Sequence, residues 1–283
     1  MNHIIACVDG TTHSDGLCTA ACWAAQQLEQ PIVLLQAIEK SYTPVPEDYS
    51  GAIGLGARSS LLHEMIELDE ARSKIALSLG KEVLTHSEQF LAQAGCRNVE
   101  KVQRHSGLAE AIHDLEQDAQ LLVLGRPSNL SKRAFKAHGS QLEQIIRQVH
   151  TPVFLVNDTF QAPQSFMIAY DGRATADKAV QRIIESKLLR GLTCHLVAVE
   201  NNVAELEQKF QDTQAQLTQS GFQVHASLLE GRIADTLMQY TRDNNIGVMV
   251  MGCFSRSKLA SVFLGSNTIK MIESSTIPLI IVR

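Results

Sequence analysis

The chain has 283 residues, of which 45% are hydrophobic and 19% charged, with a formal net charge of −5. This is the composition of an ordinary globular protein, long enough for two domains of about 100–160 residues. No basic cluster is long enough to track a nucleic-acid backbone and no apolar run approaches the ~20 residues of a membrane span, so neither partner is expected.

Met1-Asn2-His3 leads straight into an apolar run without a signal-like segment, so a cytoplasmic location is expected. The run Ile4 to Val8 has the continuous apolar character of a parallel strand covered on both faces. It ends at Asp9-Gly10, and the turn Thr11 to Ser14 opens a helix that reaches about Leu28. Pro31 to Ile38 is strand two, and Ser41 to Ser60, with two prolines and three glycines, is a loop. Leu61 to Ala94 has helical spacing, with a break expected near Gly80 and a stop at Gly95. Asn98 to Gln103 is strand three, Leu108 to Asp118 a helix, and Leu121 to Leu124 strand four, followed by a glycine loop from Gly125. A helix from Gly139 to Val149 and strand five, Thr151 to Val156, complete the first half, and Asp158 to Gln164 is a linker.

The second half repeats this order. Phe166 to Tyr170 is strand one, a helix capped by Thr175 runs to about Leu189, and Thr193 to Val199 is strand two. Asn202 caps the next helix, Val203 to Ser220, so the long loop of the first half has no counterpart. Phe222 to Leu228, a helix from Ala234 to Asp243, strand Val248 to Met251 and strand Ile277 to Val282 follow. Ile4 to Gly10 is echoed by Phe166 to Gly172, Gly125 by Gly252, and Gly139-Ser140 by Gly265-Ser266, so the protein is an internal duplication. The expected fold class is α/β: two Rossmann-like domains, residues 1–158 and 164–283, each a five-stranded parallel sheet in the order 3-2-1-4-5. Strand five would be an exposed apolar edge, so Val153–Val156 and Leu279–Val282 are expected to pack on each other about a pseudo-two-fold axis.

In such a sheet a ligand sits beyond the C-terminal strand ends where the strand order reverses, between strands one and four. Those ends carry Asp171 and Gly252 in the second half and Asp9 and Gly125 in the first. The segment Gly252 to Thr268 reads as strand, glycine-flanked loop and helix start, and unpaired N–H groups there suit an anion. A plain tight turn is the commoner meaning of one such loop, and Asp171 could equally bond its own backbone; the second copy of the pattern favours a site.

The Asp-Gly after strand one, Gly231-x-x-Ala234-Asp235 after strand three, and Gly252-x2-Ser255-x9-Gly265-Ser266 after strand four resemble the universal stress protein family, as a tandem member over the whole chain. That resemblance implies the adenine nucleotide alpha hydrolase-like fold and a bound adenine nucleotide, ATP or similar, with or without Mg. Carried over, Asp171, Gly172 and Val199 would hold the adenine side, and Gly231, Gly252, Ser255, Gly265, Ser266 and Asn267 the ribose and phosphates. Ser255 stands where ATP-binding members have a second glycine. Asp9, Gly125, Ser128, Gly139 and Ser140 are the weaker first-half set, where ten residues separate Ser128 from Gly139 and Pro127 stiffens the loop. No GxxxxGK[ST], HExxH or GxSxG motif occurs, so any ATP hydrolysis should be slow and incidental.

The expected role is a stress-response protein acting through ligand-linked conformation or partner binding, with a homodimer left open. The alternative is an interaction or carrier protein holding an apolar ligand, covered by the Ser41 to Ser60 loop and the Leu61 to Ala94 helix. The six cysteines show no framework spacing and are expected to be reduced. With no CxxC or HxxxH pattern, no metal site is expected.

Overall fold

Continuous apolar runs form the strands here because both faces of each are covered. The computed structural model describes residues 2–10, 14–38, 55–126, 140–199, 204–253 and 266–283. The first half supplies β1 (His3–Cys7), α1 (Ser14–Leu28), β2 (Ile32–Ala37), α2 (Leu55–Gln93), β3 (Val99–Arg104), α3 (Leu108–Leu115), β4 (Ala119–Gly125), α4 (Gln141–Gln148) and β5 (Val153–Val156). The second supplies β6 (Ser165–Ala169), α5 (Ala174–Glu185), β7 (Thr193–Val199), α6 (Ala204–Gln219), β8 (Val224–Leu229), α7 (Ile233–Asp243), β9 (Val248–Gly252), α8 (Ser266–Ser274) and β10 (Leu279–Val282).

The strands do not form two separate sheets. They form one ten-stranded sheet in the order β3-β2-β1-β4-β5-β10-β9-β6-β7-β8. Each half keeps the order 3-2-1-4-5, and the halves join where β5 and β10 pair antiparallel, Leu155 opposite Leu279 and Phe154 opposite Ile280. The reason is the one that makes bare edges a liability: two apolar strands satisfy each other's N–H and C=O groups and bury their side chains together. All four residues of β5 and of β10 are buried.

Two apolar layers cover the sheet. One joins α1, the C-terminal part of α2, α5 and α6 through residues such as Trp23, Leu91, Ile183 and Phe210. The other joins α3, α4, α7 and α8 through Ile112, Ile145, Leu237 and Ile272. The connection between the halves is anchored as well: Phe160 packs with Trp23 and Phe154, ring centroids 5.6 and 5.8 Å apart. Residues 158–164 are therefore part of the core boundary rather than a free linker.

Several sequence expectations change. No break occurs at Gly80, and α2 continues through it for 39 residues. A Cβ on Gly80 would lie 2.2 Å from Gln103 Nε2 and 2.5 Å from Gln36 Oε1, so the glycine lets the helix lie close against β2 and β3. Helix α5 starts at Ala174 with Arg173 at its N-cap, not at Thr175. It ends at Glu185 rather than Leu189, because Ser186 Oγ takes the Leu188 N–H at 3.1 Å and turns the chain away. Cys22 and Cys96 are joined by a disulfide, with Cα atoms 5.8 Å apart. Their sequence separation of 74 hid the pairing, which exists because α1 and the end of α2 lie side by side. Cys7, Cys18, Cys194 and Cys253 are free and buried, as expected. The Asn202 cap and most of the Ser41 to Ser60 loop lie outside the described residues. No described helix is long and apolar enough to cross a membrane.

Candidate functional site

The order reverses between β6 and β9, which run parallel with Ala169 opposite Met251. Tyr170-Asp171-Gly172 and Gly252-Cys253 therefore leave the sheet at the same level and flank one crevice, with Val199 at the end of the neighbouring β7. Gly172 has φ 70°, the left-handed region that favours glycine, and a Cβ there would meet Leu206 Cδ1 at 2.6 Å. At Gly252 a Cβ would stand 2.4 Å from the Thr175 carbonyl oxygen, so the first turn of α5 presses on the end of β9. The structure thus brings Asp171, Gly172, Val199 and Gly252 to one place. The first half matches it: Cys7 lies opposite Leu124, so Asp9 and Gly125 emerge side by side.

Asp171 does what a turn aspartate does: Oδ1 accepts the Arg173 N–H at 3.1 Å, and Oδ2 is 3.7 Å from Arg173 Nε. Its side chain remains 53% exposed, so the carboxylate is open to solvent as well as held in the turn. Behind it, the Tyr170 hydroxyl donates to Asp177 Oδ1 at 2.6 Å, and burial, then Asp177, pushes its pKa up to about 12. Tyr170 is a buried, neutral wall of the crevice. Lys209 on α6 donates from Nζ to the Gly172 carbonyl at 3.1 Å, which sets a cation over the strand-one turn.

Gly231, φ 132°, ends the β8 connection at the start of α7. Asp235 in the first turn of α7 accepts from Lys270 Nζ at 2.9 Å and lies 3.4 Å from Arg232 Nε. The Lys270 hydrogen bond and charge hold its carboxyl below the usual range. This pair ties the start of α7 to α8 beside the crevice. Asn267 is in the first turn of α8 and exposed. Gly265, Ser255, Ser128 and Gly139 lie outside the described residues, and so do Arg256 and Lys258.

The two helix starts differ. In α4, Ser140 is the N-cap and its Oγ accepts the Glu143 N–H at 3.2 Å. Glu143 is buried, 3% exposed, and accepts from Arg147 Nη2 at 2.6 Å. An acid thus occupies the first turn of α4 and one of its N–H groups is already used. In α8 the matching position is Ile269, and its first turn carries no acid.

Sequence reasoning missed a set of cross-links between the halves. Arg126, directly after Gly125, is 8% exposed and donates to the Ile272 carbonyl in α8 at 2.9 Å and to Asn157 Oδ1 at 2.6 Å. Burial pulls its guanidinium pKa down, and Asp158 opposes the change. Asn157 donates to the Thr276 carbonyl at 2.7 Å. Reciprocally, Arg283 after β10 donates to the Arg147 carbonyl at the end of α4. Each half closes the C-terminal turn of the other's helix with an arginine. The duplication could not flag them, since Cys253 takes the place of Arg126 in the second copy and Arg283 takes the place of Asn157.

A cleft of about 970 Å³ opens elsewhere, at the N-terminal ends of β1 and β4. It lies at the opposite end of the first-half strands from Gly125, where this topology places no ligand, so the crevice is the better candidate. Among the described residues no group of His, Cys, Asp or Glu could hold a metal ion.

A sequence profile of the universal stress protein family matches residues 1–157 and again residues 164–283. The chain belongs to the universal stress protein family. It is a tandem member, with both copies in one polypeptide. A universal stress protein of Synechocystis sp. is 28% identical over 287 residues and is covered end to end, as is this chain. The crystal structure of a universal stress protein from Archaeoglobus fulgidus superposes with a TM-score of 0.70 at 17% identity, covering 100% of this chain and 96% of that one. A putative universal stress protein from Pseudomonas aeruginosa gives 0.63 at 14% identity over 100% and 93%. At those identities the structures speak for the fold. The crevice between β6 and β9 is where this universal stress protein departs from symmetry, because only its second copy leaves the helix start free of an acid.

Proposed function

We propose that this universal stress protein binds an adenine nucleotide in the crevice of its second half and acts in the cytoplasm through ligand-linked conformation or partner binding. The observation that carries the reading is the difference between the two helix starts. Phosphate needs free N–H groups and a positive field. The first turn of α4 holds the buried carboxylate of Glu143, whereas that of α8 has Ile269 in the matching place and Lys270 next to it. Lys209 and the exposed edge of Asp171 add a cation and an acceptor for a sugar or base. Val199, Gly231, Gly252, Ser255, Gly265, Ser266 and Asn267 complete the proposed set.

Rapid turnover is not part of the proposal. Asp171 and Asp235, in the turns beside the crevice, each lie against cations, which suits binding better than proton transfer. ATP hydrolysis should stay far below the usual ~1–1000 per second. Isothermal calorimetry with ATP decides the assignment: Gly265→Val should remove most binding and Gly139→Val should change little. Equal losses, or a loss confined to Gly139→Val, would move the site to the first half.

A further inference from the structure

The sheet accounts for only the C-terminal part of α2. From Gly80 onward the helix packs on β2, β3 and α1, with Leu84 and Leu91 in the core. From His63 to Leu79 nearly every residue is exposed. Apolar side chains nevertheless recur there: Leu68, Ile75 and Leu79 are 58%, 61% and 56% exposed, and half-buried Met65 lies on the same line. Met65, Leu68, Arg72, Ile75 and Leu79 are spaced alternately three and four apart, the spacing of the seam in a two-stranded coiled coil.

We propose that two copies of the chain associate through this free part of α2 as an antiparallel coiled coil. Three observations converge on a second copy in that orientation. First, β5 and β10, the apolar strands through which two halves join, are already paired within one chain, so a second copy needs another surface. Second, the charge in the seam selects the direction. Parallel helices would stack Arg72 on Arg72, which is repulsive. Antiparallel helices related by a two-fold axis at position 70 set Met65 against Ile75 and Leu68 against Arg72. They also bring each Arg72 beside the Asp69 of both chains, and within one chain Arg72 Nη1 already lies 3.9 Å from Asp69. The four charges then alternate around the axis. Third, the register keeps the described seam clear of the sheet: Met65 and Ile75 pair with each other about position 70, and Gly80, where the helix meets its own sheet, lies beyond them. The exposed stretch from His63 to Leu79 is about 25 Å long, and two such helices would bury roughly 1,000 Å² in total, the lower end of specific interfaces, which implies a reversible dimer.

Sedimentation equilibrium on the full chain from about 1 to 200 μM tests this. The wild-type chain should dimerise reversibly. Leu68→Glu with Ile75→Glu should weaken association about 100-fold or more, while Arg72→Leu should tighten it, since a charge in the seam costs stability. Opposite shifts from two exposed changes would not arise from misfolding, and both variants should keep the wild-type circular dichroism. A Met65→Cys/Ile75→Cys chain should form inter-chain disulfides on mild oxidation, and neither single variant should. The pair cannot bridge within one helix, where ten residues span about 15 Å. A monomer over the whole range would mean that the seam takes a different partner, and it overturns the proposal. So would a dimer untouched by Leu68→Glu with Ile75→Glu, as one formed through the β3 or β8 edge would be, or a dimer in which the paired cysteines fail to cross-link.

Discussion

Replacing Leu279 by alanine in β10 should destabilise the first half of the protein as much as the second. Leu279 is fully buried, lies opposite Leu155 across the antiparallel join and sits beside Met249 on the parallel side. Truncating such a leucine removes its transfer free energy and leaves a cavity that close-packed strands cannot fill, a cost of about 3 kcal/mol. With a urea dependence of about 3 kcal/mol per M for a chain of this size, the midpoint should fall by roughly 1 M. The chain has a single tryptophan, Trp23, and it packs against Phe154 of β5 with ring centroids 5.9 Å apart. Its fluorescence therefore reads the first half, and far-ultraviolet circular dichroism reads the whole. If the ten strands unfold as one unit, both signals in Leu279→Ala move together to the lower midpoint. A tryptophan transition that stays at its wild-type midpoint while the dichroism splits into two steps would refute the argument and make the halves independent.

Arg126→Met should cost about 2–3 kcal/mol, seen as a lower melting temperature, because it strips charged hydrogen bonds from Asn157 and leaves the Ile272 carbonyl unpaired in a buried place; an unchanged melting temperature would mean the cross-cap contributes nothing. Reducing the Cys22–Cys96 disulfide, which closes 74 residues of chain, should lower stability by about 2–4 kcal/mol, measured as a shift in the urea midpoint with and without reductant. Burial, then the neighbouring His225, holds His195 below its ordinary value of 6.5, while its Nδ1 faces the Tyr240 hydroxyl at 3.0 Å. The folded chain then binds fewer protons than the unfolded one just below pH 6.5, so this contribution is complete above that pH and is lost as the pH falls towards the folded pKa. The urea midpoint should drop between pH 7.5 and 5.5, and His195→Gln should show a smaller drop.

Local pattern was enough to read the strands and the duplication. Ile4 to Val8, Leu121 to Leu124 and Val248 to Met251 are apolar without interruption because a parallel strand has helices on both faces, and that burial is written into consecutive residues. The paired Asp-Gly turns and the glycines after strand four placed Asp171 and Gly252 in one crevice, since strand order and crossover hand follow from the β-α alternation. The apolar edges of Val153–Val156 and Leu279–Val282 even told which strands would meet.

Tertiary structure decided the rest, wherever the deciding contact is distant in sequence. Gly80 reads as a helix breaker on propensity, yet α2 runs through it, and a side chain there would press on the amide ends of Gln36 and Gln103 from two other elements. Cys22 and Cys96 carry no spacing signal, and only the packing of α1 beside the end of α2 brings them together. Arg126 and Arg283 look like ordinary charges after strands, and they become caps only because the antiparallel join of β5 and β10 turns each towards the other half's helix end. Periodicity reports which face of an element is buried, while the partner that buries it is set by how the whole chain closes.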